Sequence, residues 1–446
     1  MKTLSFDGLP RFDEALTQDE ILGDLEIESA DEWCVIRKND FLALASFKTG
    51  ACSWLVSRPT ATVQHGSASD TFSSMLLWGK KLWLGTQHKV VAELCYAVHD
   101  CVKVVTRNLE NGEVLWEYSY SRPALAAWAE SEPAWPNAPQ EEIYPFLAAT
   151  GDSLVFCVHR RTRSFAMTTA DFAVRSVPPF HCQTEFYCFK PTTGEILWSS
   201  VQTGVRLDIL DWQCYQGPWG NADHAGWVNL VTGANVSIRR ENCRFGRPAV
   251  NLGFGYFPWF KPSQKRIGYI RANPNMDVER EYEWSEKNVR DMRVWPTSQG
   301  VAIQVNDQKV FWATHTGEVL WEQRAKPYIY KLFASDTSDI FVATDGAGGR
   351  LFGFDPRSGQ ETFNFRPALG GVGECYYSEN RGMAVASVAM KKSHWAASKV
   401  MIFDVQTKEF DFIANCWKIL GEWERGIVFV SGDKERKITF LDWEDR

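Results

Sequence analysis

An all-β fold is what this sequence predicts, on three observations. Aromatic content is high, with 20 Trp and 28 Phe among 446 residues, and such side chains fit a pleated, half-buried surface. Short runs alternate apolar and polar residues, as in "EFYCFKPTTG", "KVFWATHTG" and "RLFGFDPRSG", the period of a strand with one face covered. One turn also recurs, as "NGEVLW" from Asn111, "TGEILW" from Thr193 and "TGEVLW" from Thr316.

Composition bounds the function classes. With 45% hydrophobic and 23% charged residues, the chain reads as soluble and globular. A formal charge of −7 argues against sequence-independent nucleic-acid binding, which needs a concentrated basic surface. His159, Arg160, Arg161 and Arg163 form a short basic cluster, read as a solvated loop. No stretch approaches the roughly 18 apolar residues of a membrane span, and "MKTLSFDGLP" lacks a signal peptide's apolar run. Eleven cysteines at irregular spacing read as reduced, buried, small apolar residues. A cytoplasmic protein is expected.

The repeat orders the chain. Gly50, Gly112, Gly194, Gly233, Gly317 and Gly359 align as turn glycines, and Trp54, Trp116, Trp198 and Trp321 stand four residues after four of them. Gly359 has Phe363 at that place. The glycine supplies the positive φ that such hairpins require. From Gly317 to Gly359 is 42 residues and from Gly233 to Gly317 is 84, so a degenerate copy belongs between the latter, where Pro274 and Asn275 provide turn chemistry. Another copy, "VMIFDVQTKEFDF", has Thr407 and Lys408 at the turn. A further β run precedes most turns, such as "DIFVATDG", giving about four strands per unit.

Four antiparallel strands in about 42 residues is the period of a β-propeller blade. One blade cannot bury both faces, so blades must stack and the ring must close. The C-terminal "GIVFVSGDKERKITFLDWEDR" supplies inner strands with no outer one, and "TLSF" or the segment around Trp33 to Trp54 is expected to complete that blade. The copies predict eight blades, with seven as the runner-up. Residues 1–30 read as an acidic arm able to contribute the closing strand. Residues 31–446 read as a single propeller domain with insertions at 57–75, 122–146 and 160–184.

The pairing of "FGFDPRSG" or "YCFKPTTG" with a following "EILW" resembles the repeat of the pyrroloquinoline-quinone-like (quinoprotein alcohol dehydrogenase-like) β-propellers, across roughly residues 31–446. The resemblance implies that Trp54, Trp116, Trp198 and Trp321 dock between blades. Enzymes of that family bind a quinone and calcium above the ring, and many carry an adjacent cysteine pair. This sequence has neither that dipeptide nor the haem-attachment motif C-x-x-C-H, so a non-enzymatic member without cofactor is expected.

Other chemistry is thinly represented. Cys95, His99 and Cys101 read as one strand face, on which residues four apart are separated by about 13 Å, too far for one tetrahedral ion. His181, Cys182 and Cys188 lack a second ligand pair at zinc spacing, and no metal site is expected. There is no G-x-S-x-G elbow, P-loop, G-x-G-x-x-G or H-E-x-x-H. Asp211, Asp223 and His224 form the most suggestive carboxylate and imidazole cluster, with Trp212, Trp219 and Trp227 able to stack on a sugar or peptide.

The long connections carry the functional expectation. With strands A to D counted outward from the axis, 57–75 and 122–146 join D to the next A, while 160–184, 217–226 and 388–398 join B to C. All fall on the rim opposite the glycine turns, and insertions on one side of a repeat array mark a binding side. Trp128 and Trp135 beside Glu130, Glu132, Glu141 and Glu142 have the composition of an aromatic anchor with a charged rim. A monomeric, non-enzymatic scaffold that docks a protein partner on this face is expected, with a bacterial immunity or inhibitor protein as one concrete form. The alternative is an enzyme acting on carbohydrate or a small polar ligand in the axial funnel through Asp211, Asp223 and His224.

Overall fold

The alternating runs become strands that pair antiparallel in chain order. Glu26–Ala30, Trp33–Lys38, Phe41–Ser46 and Cys52–Ser57 form the first four-stranded sheet. The computed structural model describes residues 3–5, 25–38, 41–57, 81–97, 101–121, 140–150, 153–163, 182–203, 224–228, 235–246, 248–251, 253–273, 275, 277–306, 308–324, 329–334, 341–345, 350–365, 372–378, 382–389, 398–404, 407, 409–423, 426–431 and 438–442.

Five more sheets repeat the plan. The second blade runs from Leu82–Gly85 to Val114–Ser121, the third from Gln140–Thr150 to Ile196–Thr203, and the fourth from Arg244–Phe245 to Val278–Ser285. The fifth runs from Met292–Pro296 to Val319–Arg324 and the sixth from Ile329–Ala334 to Glu361–Phe365. In the fourth, the innermost position is split between Arg244–Phe245 and Ala249–Asn251, both paired with Phe254–Lys261. Gly246 lies at the split, where a Cβ would fall 2.1 Å from the Met292 carbonyl oxygen.

The architecture is therefore an all-β propeller, but among the described residues it has six such blades instead of the eight expected or the seven kept beside it. The remaining strands do not form separate four-stranded blades. His224–Val228 pairs with Asn235–Arg239 alone, and the C-terminal strands merge into one seven-stranded sheet. Phe410–Trp423 joins that sheet, pairing first with Ser398–Asp404 and then with Gly426–Ser431. Counting turns cannot register this, because one 14-residue strand serves two neighbours with no turn between. Thr3–Ser5 pairs with Ile438–Asp442 at the sheet's edge.

The core lies between blades. Val35, Leu42 and Leu44 of the first blade pack on Leu82, Val91 and Leu109 of the second. The opposite face, Cys34, Ile36 and Phe41, packs on Val428, Val430 and Phe440, so the first sheet meets the last. Middle strands covered on both faces read as continuous apolar runs, as in "FLALAS", all buried. Outermost strands, covered on one face, alternate half-buried and exposed residues, as in "CSWLVS".

Tryptophans join consecutive blades. Trp54 Nε1 donates to the Leu109 carbonyl at 2.8 Å, Trp116 to Pro191 at 2.7 Å and Trp321 to Pro356 at 2.6 Å. Each acceptor lies three residues before a turn glycine of the next blade, Gly112, Gly194 or Gly359, whose φ is +74°, +71° or +67°. The glycine is needed twice over: its φ lies in the left-handed region, and a Cβ would meet the docking indole at 2.6 to 2.9 Å. In the degenerate fourth blade Arg280 holds the equivalent register, and Tyr282 and Trp284 donate instead, to the carbonyls of His315 and Gly317. Trp198 Nε1 is buried without a hydrogen-bond partner among the described residues, and the Gly233 turn lies outside them.

Candidate functional site

Strand alternation gives each blade two unlike edges. At the glycine-turn edge, connections are short: 47–51, 109–113, 190–195, 315–318 and 355–360. They are fastened by backbone bonds such as Gly112 N–H to Asn108 O at 2.9 Å and Gly359 N–H to Asp355 O at 2.7 Å. The opposite edge emits the long connections, 58–81, 122–139, 164–181 and 390–397.

Of the expected site residues, Trp128, Glu130, Glu132 and Trp135 fall within 122–139 and Glu141 and Glu142 directly after it, while Asp211, Trp212, Trp219 and Asp223 fall within 204–223. Trp128, Glu130, Glu132, Trp135, Asp211, Trp212, Trp219 and Asp223 are outside the described residues. Glu141 and Glu142 belong to the strand Gln140–Thr150, opposite Thr162 and Arg161 in the register. The basic cluster is thus corrected from a loop to a strand, Ser153–Arg163, with Arg160, Arg161 and Arg163 opposite Ile143, Glu142 and Gln140. His224 and Trp227 stand opposite Arg239 and Val236. Cys95 and Cys101 fall on successive antiparallel strands, Val90–Ala97 and Cys101–Asn108, not on one strand face. Among the described residues no three metal-ligating side chains converge, and no helix is long and apolar enough to cross a membrane.

Buried charges are what the sequence reading missed. Glu93 is fully buried, and Arg107 Nε sits 3.2 Å from its carboxylate while Nη1 donates to Gly112 O at 3.1 Å. That pair ties a covered strand to the docking turn. Glu185, also buried, accepts from Tyr120 at 3.1 Å across the seam between the second and third blades and from Tyr187 of its own strand at 2.8 Å. Burial, and then the bond to Glu185, pushes the Tyr187 phenol well up, so it remains a donor. Toward the long-connection edge of the first two blades, Arg37 and Lys81 are both buried. The available signal was a charge inside an otherwise apolar strand, as in "WCVIRK", "VVAELCYA" and "CQTEFYCF".

No family model matches this chain, and no curated protein matches it. Among solved structures it is similar to a eukaryotic initiation factor, with TM-score 0.51 and 14% identity over 91% of this chain and 90% of that one. BamB from Moraxella catarrhalis aligns with TM-score 0.43 and 9% identity, over 99% of each chain. The Dos1 propeller aligns with TM-score 0.45 and 12% identity, over 96% of this chain and 97% of that one. The likeness is one of β-propeller fold and does not extend to activity. It does not single out the quinoprotein-like branch.

Proposed function

We propose that this propeller is a non-enzymatic scaffold that docks one protein partner on its long-connection edge, acting as a single domain whose first blade starts at Glu26, inside the stretch 1–30 expected to be an arm. The observation that supports this is the asymmetry of the edges: tight turns and interblade tryptophan bonds close one, while the other emits every connection longer than a few residues within the blades. Rigid rings present recognition through such loops. Trp128 and Trp135 serve as anchors, and Glu130, Glu132, Glu141 and Glu142 favour a partner with a basic patch, which speeds encounter more than it sets affinity. A toxin capped by this chain as its immunity or inhibitor protein is the concrete form we propose. Cys34, Cys52, Cys95, Cys157, Cys188 and Cys243 are free thiols, in keeping with a reducing, cytoplasmic setting.

The test is affinity capture from the source organism with the intact chain, with Trp128→Ala/Trp135→Ala, and with 122–139 replaced by a short linker. A partner retained by the intact chain and lost by both variants supports the reading. Equal capture by all three overturns this interface.

A further inference from the structure

Arg37 is 1% exposed, at the end of a strand buried on both faces. Its Nη2 donates to the Leu94 carbonyl of the next blade at 2.9 Å. Its Nε and Nη1, which carry most of the guanidinium's donors, have no hydrogen-bond partner among the described residues. An interblade strut alone would not need this group, since a buried charge left unsatisfied costs more than an apolar side chain of similar volume.

A second buried cation stands at this seam, with one carboxylate between the two. Lys81, 3% exposed, approaches the same point from the second blade, because its carbonyl accepts the Leu94 N–H at 2.8 Å. Leu94 thus holds the guanidinium through its carbonyl and the Lys81 backbone through its amide. Glu26 accepts the Lys81 N–H at 3.0 Å and stands 3.9 Å from its ammonium. The Glu26 side chain is 26% exposed on the innermost strand, and Glu26 stands directly opposite Arg37 in the register, so an incoming anion has to compete with this carboxylate for the two cations.

We infer that the seam between the first two blades is a binding site for a small oxyanion, phosphate or carboxylate, received by Nε and Nη1 of Arg37 with the Lys81 ammonium beside it. Such ligands offer several acceptor oxygens to a planar donor group, and charge-assisted bonds to them are the strong class. The site uses none of the proposed partner anchors: Arg37 comes from a blade strand and Lys81 from the last position of the 58–81 connection, away from Trp128 and Trp135.

The experiment is calorimetric titration of the full chain with inorganic phosphate and, separately, with succinate, at constant ionic strength set by chloride. The intact protein is expected to bind at least one of them saturably, and the two arms say which chemistry is preferred. Arg37→Met is expected to weaken that binding at least tenfold. Lys81→Gln, which keeps the backbone bonds, is expected to weaken it severalfold and serves if Arg37→Met does not fold. The Arg37 Nε–H resonance should shift with the same midpoint. Absence of saturable binding of both anions to the intact chain, or affinity unchanged in the folded variants, overturns the inference.

Discussion

Trp116 of the second blade donates its indole N–H to the Pro191 carbonyl of the third at 2.7 Å, with its ring against Gly194. Trp116→Phe keeps most of the ring and leaves that carbonyl without the donor, so it should cost about 1 kcal/mol in urea unfolding. Gly194→Ala should cost more. Its φ of +71° imposes about 1–2 kcal/mol on any residue with a Cβ, and that Cβ would lie 2.7 Å from the indole.

The buried pair Glu93 and Arg107 should behave as a unit. Arg107→Met takes one partner from the fully buried Glu93 and should cost up to about 3–5 kcal/mol, whereas Glu93→Leu leaves an Arg107 that is part-exposed and still bonded to Gly112 O and should cost less. The double variant removes both charges and should recover much of that loss. Denaturant unfolding of the four proteins in a cycle gives the coupling, and additive costs would contradict the pairing.

Tyr187 sets a pH limit on the third blade. Burial, then the bond to Glu185, raises its phenol above the ordinary 10.0. Its contribution is therefore full below pH 10 and is lost as pH rises above that value, where the unfolded chain ionises and the folded one resists. Tyr187→Phe should cost about 1 kcal/mol at neutral pH, the order of one intramolecular hydrogen bond. It should also flatten the alkaline fall in stability followed by denaturant titration between pH 8 and 11.

Cys34 and Cys157 are fully buried, and burial drives both thiols well above their ordinary range. The thiolate is the reactive form, so neither should be alkylated by iodoacetamide at pH 8 until urea unfolds the chain. Peptide mass spectrometry before and after unfolding reads this directly. Early labelling of Cys157 would show that the third blade opens locally.

The glycine turns and their docking tryptophans were legible because few residues meet their demands. A left-handed φ under an indole leaves room for Gly, and a donor that reaches the next blade from an outer strand must be long, so both recur at fixed spacing. The blade number was not legible, because Phe410–Trp423 continues from one set of strands into the next and erases the turn that would have been counted. Nor was the fate of charged strand residues. Glu279, Glu281 and Glu283 in "VEREYEWS" are exposed and paired with Arg271, Arg240 and Arg266. Glu93 and Glu185 stand in the more apolar strands "VVAELCYA" and "CQTEFYCF" and are buried, and which group would pair with each was not readable there.

By itself, then, the sequence determined the strands, their order within each unit, and the rim on which the long connections fall, because alternation, glycine φ and segment length are local properties. Only the tertiary structure decided how many blades close separately and which charges lie in the seams. A strand's own pattern says that one face is covered; which neighbour covers it, and whether Arg37 meets water or Leu94, depends on a blade 57 residues away in the chain.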